Sequence, residues 1–97
     1  MYAVITTVGL KPDRIDDVRE VFRRTNPGLV AGQEDWVSAV FTANRKDDTI
    51  TVIARWKSPD SYRAFAASDE YKSAMGELAR YFRGKPNVEI NEILVDM

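Results

Sequence analysis

One stretch of the sequence, ARWKSPDSYRAFAASDEY at residues 54 to 71, is unusually rich in aromatic side chains. It carries four large rings, Trp56, Tyr62, Phe65 and Tyr71. Rings of this kind either fill a core or wall a pocket in which an indole N–H and phenol hydroxyls hold a ligand. The sequence alone leaves both interpretations open for Trp56, which is predicted to end a strand on an apolar face.

The chain contains no histidine and no cysteine, which excludes several classes of catalytic and metal-binding site. Without histidine there is no His-ligated zinc, iron or haem, and no Ser-His or Cys-His pair. Without cysteine there is no disulfide, thiolate nucleophile or thiolate metal site. Acid or base chemistry is therefore left to Asp, Glu, Lys, Tyr, the amino terminus or the substrate itself.

Length and charge indicate a single domain over residues 1–97 with a net charge of −1. A chain so nearly neutral has no general field to attract nucleic acid or an acidic membrane. The start, MYAVITTVGL, lacks the basic flank and long apolar run of a signal peptide. No segment reaches the ~20 apolar residues that span a bilayer. We therefore expect a cytoplasmic protein.

Hydrophobic periodicity predicts four strands, at residues 2–9, 35–43, 49–56 and 88–97. The connector NRKDD joins the second and third strands as a hairpin. Helices are predicted in the gaps between strands. Together these elements give the order β-α-β-β-α-β, an α+β, ferredoxin-like arrangement with an antiparallel sheet and helices on one face.

The helix boundaries follow from capping residues and breakers. The first helix is predicted to have Pro12 and Asp13 in its first turn and Arg23 and Arg24 in its last. The segment NPGLVAG, with its proline and two glycines, should then break it. Ser58 and Ser68 are predicted N-caps, ten residues apart, of a short helix and a longer one.

The second and third strands carry apolar residues on both faces, mixed with Thr, Ser and an arginine, Arg55. A sheet face open to water should show cleaner alternation of apolar and polar residues. The composition favours a surface covered by a second copy or lining a small-molecule cavity, and we expect a homodimer. Trp36 suits either an interface or a pocket wall. Arg55 is expected to pair with an exposed carboxylate rather than with a substrate anion.

The segment ARWKSPDSYRAFAASDEYKSAM, the preceding PG at 27–28 and the order of elements resemble the antibiotic biosynthesis monooxygenase (ABM) family of the dimeric α/β-barrel superfamily. The resemblance implies two monomers whose sheets meet in a barrel, each with its own pocket between sheet and helices. It implies oxidation of a phenolic substrate by dioxygen with no cofactor: no flavin, haem or metal. The substrate is then a small aromatic or polyketide-type phenol, whose deprotonated ring gives an electron to dioxygen.

The resemblance also implies site residues. Trp56 and Tyr62 match a tryptophan and a tyrosine that contact substrate in polyketide-tailoring members, and we assign them as the catalytic pair. Val52 stands where those members have an asparagine, and Gly76 where they have an arginine. Phe65 and Met75 occupy the positions of a tryptophan and a histidine in haem-degrading members.

Four residues complete the expected substrate-binding wall, namely Val52, Phe65, Tyr71 and Met75. For Tyr71 and Met75, packing between helix and sheet is the competing interpretation. Two other functions stay open: a dimer that binds a small hydrophobic or aromatic ligand without turnover, and a haem-binding protein. No metal site is expected.

Overall fold

The computed structural model describes residues 1–97, which form four strands and three helices. The strands are β1 (Tyr2–Gly9), β2 (Trp36–Asn44), β3 (Thr49–Trp56) and β4 (Asn87–Glu92). The helices are α1 (Ile15–Val30), α2 (Pro59–Ala66) and α3 (Asp69–Ala79). No helix combines the length and the apolar character needed to cross a membrane.

The four strands form one antiparallel sheet in the order β2-β3-β1-β4. The chain order is β-α-β-β-α-α-β, so the predicted ferredoxin-like α+β fold is confirmed, with the second helical region divided into α2 and α3. The predicted hairpin of β2 and β3 is also confirmed. Its connector turns at Asp48, which adopts a left-handed φ of 50°.

Two serines start the helices of the aromatic segment, as predicted. The Ser58 hydroxyl accepts hydrogen bonds from the backbone N–H groups of Asp60 and Ser61. The Ser68 hydroxyl accepts one from the backbone N–H of Tyr71. These caps satisfy N–H groups that have no partner inside the helix. They fix where α2 begins after β3 and where α3 begins after α2.

The predicted bounds of α1 were wrong at both ends. Asp13 adopts a left-handed φ of 61°, so the helix begins only at Ile15. At the other end the helix continues through Pro27 to Val30. A proline inside a helix costs roughly 3 kcal/mol. Here the additional turn brings Leu29 and Val30 against the buried cluster around Trp56, and this packing outweighs the local preference.

A β-bulge near the start of β2 changes which of its residues face the helices. The register shifts between Trp36 and Ser38, so that Trp36 lies opposite Trp56 while Ala39 lies opposite Ala54. One extra residue moves the following side chains to the other face. Simple alternation would have separated Trp36 from Ala39, whereas the bulge places both on the face covered by the helices.

The buried residues form two adjoining clusters between sheet and helices. The larger one joins β1, α1, β3 and α3 and includes Leu10, Val18 and Leu78, which are almost completely buried. The smaller one contains Val4, Trp56, Tyr62 and Phe65. The aromatic segment thus belongs to its own cluster, beside the main core.

The opposite face of the sheet has no helix on it. Val40 and Ile53 lie directly opposite each other there and are exposed over 55% and 36% of their surface. Arg55, on the same face, forms an ion pair with Asp96 at 2.7 Å, as the sequence predicted for a strand arginine. The last strand was predicted to reach residue 97 but ends at Glu92, the residue that pairs with Tyr2 at the start of β1.

Candidate functional site

An apolar cavity of about 90 Å³ lies between the covered face of the sheet and the three helices. Of its 23 lining residues 19 are hydrophobic, and none is charged. A charged ligand buried in such a space would lose its hydration without gaining a partner of opposite charge. The cavity is therefore suited to an uncharged ring, or to a ring whose charge is held elsewhere.

All six residues predicted for the site line this one cavity. Val52 and Trp56 come from β3, Tyr62 and Phe65 from α2, and Tyr71 and Met75 from α3. Three elements that are contiguous in sequence thus contribute the whole predicted set. Contact of these residues with a ligand stays a prediction.

The four rings of the aromatic segment form a continuous series along the cavity wall. The Trp56 centroid lies 5.8 Å from that of Tyr62, with the rings nearly perpendicular at 70°. Phe65 lies 5.1 Å from Trp56 on one side and 5.1 Å from Tyr71 on the other. Edge-to-face pairs at these separations are favourable and fix the orientation of each ring.

Trp56 is only 1% exposed, so its first role is to fill the core. Its indole N–H nevertheless has no hydrogen-bond partner within the chain, although the nitrogen is not sealed from water. Buried donors are nearly always paired in proteins. The indole N–H is therefore a free donor on a residue that lines the cavity.

Burial controls the ionisation of the two cavity tyrosines. It raises the pKa of Tyr62 above its ordinary value, and the hydroxyl of neighbouring Tyr71 offsets part of this shift. Burial also raises the pKa of Tyr71 strongly, and the proximity of Tyr62 raises it further. Both phenols therefore keep their protons well above neutral pH, so neither is available as a phenolate base.

Sequence reasoning missed several polar groups of the cavity. These are Thr6, Thr25 and Asn26. Trp36, for which an interface and a pocket wall were both open, lines the cavity. Thr25 donates its hydroxyl proton to the carbonyl of Val21 at 2.8 Å. Asn26 is the only residue of the wall that has an amide side chain. The signal that could have found Asn26 was the apolar stripe of α1, because Asn26 follows Phe22 by four residues and so lies on the same helix face.

Two positions differ from the polyketide-tailoring pattern, and the structure shows what occupies them. Val52 adds an apolar surface to the cavity wall. Gly76 is not part of the wall, and the space around it is open. No arginine or other charged side chain lines the cavity in place of the missing polar residues. No group of three or more acidic side chains is arranged to hold a metal ion.

The fold recurs in many solved structures of low sequence identity. SnoaB, a cofactor-independent oxygenase from Streptomyces nogalater, superposes with a TM-score of 0.81 at 16% identity, over 99% of this chain and 95% of that one. Rv0793 from Mycobacterium tuberculosis gives 0.79 at 14%, over 98% and 96%. NE2512 from Nitrosomonas europaea, a protein of unknown function, gives 0.79 at 16%, over 99% and 91%. At such identities the likeness establishes the fold and not the reaction.

No functionally curated protein matches the sequence significantly. The sequence profile described as "Antibiotic biosynthesis monooxygenase" does match, over residues 1–77, which include β1, all of the aromatic segment and most of α3. The match thus covers every residue of the predicted site. The chain belongs to the antibiotic biosynthesis monooxygenase (ABM) family.

Proposed function

We propose that the protein is a cofactor-independent monooxygenase that oxidises a small aromatic phenol to a quinone with dioxygen. The observation that carries the proposal is the uncharged aromatic cavity, which is lined by Trp56 and by two tyrosines, Tyr62 and Tyr71, whose raised pKa values keep their hydroxyls neutral. Membership of the ABM family supports it. In the balanced reaction, phenol and dioxygen give quinone and water. Dioxygen accepts four electrons, one oxygen atom enters the product and the other leaves as water.

The chain contributes binding and hydrogen bonding to this reaction rather than a base. No lining residue carries a charge, so the phenol must lose its proton to solvent or to reduced oxygen. Burial raises the pKa of a phenol, and hydrogen bonds donated to its oxygen lower it. Tyr62 and Trp56 are the donors we assign to that oxygen. Donors fixed in advance favour the charge that develops during the reaction.

Cavity size sets the expected class of substrate. An apolar cavity of about 150 Å³ holds one benzene molecule in another protein. The cavity here, at about 90 Å³, is smaller still. A single ring enters with small side-chain movements, whereas a polycyclic, polyketide-type ring requires the helices to separate from the sheet. We therefore propose a monocyclic phenol as the substrate.

Aerobic incubation with a panel of monocyclic and polycyclic phenols tests the proposal. Oxygen uptake and quinone absorbance should rise faster than in buffer, with the largest effect for single rings. Tyr62→Phe keeps the ring and removes one donor, so turnover should fall about three- to tenfold, as for loss of one hydrogen bond. Tyr81→Phe is the matched control, because Tyr81 does not line the cavity. An unaccelerated reaction across the panel would rule out the monooxygenase.

The second candidate is a dimer that binds a small aromatic ligand without turning it over. The absence of any charged group in the cavity favours it, because catalysis then depends entirely on the substrate's own reactivity. Saturable quenching of tryptophan fluorescence with neither oxygen uptake nor product would identify this function. Haem receives no support from a cavity of about 90 Å³.

We further propose that the working form is a homodimer in which the uncovered sheet faces of two copies meet. The exposed pair Val40 and Ile53 supports this, as does the apolar surface around it. Burying such a face removes apolar area from water and adds to the small core of a short chain.

A further inference from the structure

A second concavity adjoins the apolar cavity on the outside of the molecule. It is an open cleft of about 510 Å³ between α1 and the far end of β2. Three arginines line it, Arg19 and Arg23 from α1 and Arg45 from the β2–β3 connector. Phe22 and Phe41 lie at its base with their ring centroids 4.1 Å apart. Nothing in the proposed reaction uses these arginines.

The charges around this cleft leave a positive excess on its lining. Asp16 pairs with Arg45 at 2.9 Å and with Arg19 at 3.4 Å. Glu20 pairs with Arg23 at 3.4 Å and approaches Arg19 at 3.6 Å. Two carboxylates thus serve three guanidinium groups, and neither carboxylate is part of the lining. A guanidinium shared in this way still has N–H donors free for another anion.

The cleft and the cavity have part of their wall in common. Phe22, Asn26, Phe41 and Ile50 line both spaces. Phe41 lies on β2, which is an edge strand of the sheet, and is 38% exposed. The Phe22–Phe41 pair therefore belongs to the boundary that an uncharged inner space shares with a cationic outer one. A ligand that crosses this boundary meets apolar walls at one end and arginines at the other.

We propose that the cleft binds the carboxylate of an aromatic acid whose ring occupies the cavity. The inference rests on the proposed function for the ring site and adds the class of ligand: an aryl alkanoic acid with a short flexible chain. Arginine is the residue best suited to a carboxylate, because its planar fork donates two parallel hydrogen bonds. Placing the charge in the cleft also avoids the cost of burying it among the uncharged residues of the cavity.

Titration of tryptophan fluorescence with 4-phenylbutanoate and with 4-phenylbutanamide tests the proposal. The two probes share ring and chain length and differ in charge. At low salt the acid should bind about tenfold more tightly than the amide, and added salt should reduce this preference. Arg23→Gln and Arg45→Gln should each weaken the acid about threefold or more without changing the affinity for the amide. Arg80→Gln is the control, since Arg80 lines neither space.

A gain-of-affinity variant completes the test. Asp16→Asn removes the carboxylate that competes for Arg45 and Arg19, so 4-phenylbutanoate should bind more tightly to it than to the unaltered chain. Equal affinities for acid and amide, with no effect of the arginine variants, would overturn the carboxylate site and leave the ring site standing. If neither probe binds, the ring site is refuted as well.

Discussion

At the scale of single residues, substitutions of Trp56 and of Tyr62 test different properties, although both residues line the cavity. Trp56 is almost completely buried and contacts two other rings, so its replacement removes core packing. Truncation of a buried aromatic side chain costs about 3–5 kcal/mol. Lost activity in a Trp56 variant therefore says little about chemistry. Tyr62→Phe keeps the ring contact with Trp56 and removes only the hydroxyl, which makes it the informative substitution.

The two cavity tyrosines predict a loss of stability in alkali. Burial raises the pKa of Tyr62 and of Tyr71 above the ordinary value of 10.0. Above about pH 10 the unfolded chain loses these protons while the folded chain keeps them, so the folded state binds more protons. The stabilising effect is full below this pH and is lost as the pH rises through the raised pKa values of the folded state.

Urea unfolding at about pH 9 and at about pH 11, on either side of the ordinary pKa of tyrosine, measures this loss. The double variant Tyr62→Phe/Tyr71→Phe should lose less stability over that interval than the unaltered chain. Subtraction of the two removes the contribution of lysines that titrate in the same range. An identical loss in both proteins would show that the phenols are not protected by burial.

At the scale of elements, Arg83 joins three parts of the fold that are distant in sequence. Its guanidinium donates to the carbonyl of Leu10 at 2.8 Å and to that of Asp47 at 3.0 Å. It therefore links the end of β1 and the β2–β3 connector to the segment after α3. Gly9 makes room for it, because a Cβ there would lie 2.6 Å from the Arg83 side chain.

This arrangement predicts that Gly9→Ala and Arg83→Ala are not additive. Each single change should lower the free energy of unfolding by about 1–3 kcal/mol, since either one breaks the guanidinium's hydrogen bonds to the backbone. In the Arg83→Ala background, Gly9→Ala should cost little, because the clashing group is gone. A double-mutant cycle by urea denaturation measures the coupling. Additive costs would contradict the link between the two residues.

The elements also show where prediction from sequence reached its limit. The caps at Ser58 and Ser68 and the hairpin were predictable because each depends on residues close in sequence. Continuation of α1 past Pro27 and the bulge that turns Trp36 inward were not, because both depend on packing against distant residues. The six predicted residues line one cavity because they lie on three consecutive elements of the chain, whereas Asn26 and the three arginines depend on α1 and the connector meeting in space.

At the scale of the whole molecule, the two faces of the sheet differ in what covers them. Helices cover one face, and the other presents Val40 and Ile53 to solvent around the Arg55–Asp96 ion pair. In the segment after β4, Leu94 and Val95 are also exposed, over 82% and 71%. Large apolar side chains exposed together on one face mark an interface more often than a free surface. A second copy of the same face suits it, because the face carries few charges that would oppose one another.

The dimer prediction is tested by adding a charge to this face. Ile53→Lys introduces a cation at the centre of the proposed interface, where two symmetry-related copies would place like charges close together. Sedimentation equilibrium of the unaltered chain should give twice the chain mass of 11.0 kDa, and the variant should give the mass of one chain. The substitution also replaces a residue that is already 36% exposed, so the fold itself should persist.

Val88→Lys is the matched control for the charge. Val88 is 44% exposed and lies opposite Thr6, a cavity residue, so it belongs to the other face of the sheet. A lysine there adds the same charge to the same sheet without touching the proposed interface, and the variant should remain dimeric. If both variants dissociate, the interface involves more than the uncovered face. If the unaltered chain sediments as a single unit at every concentration, the exposed apolar face has no partner in another copy of this chain.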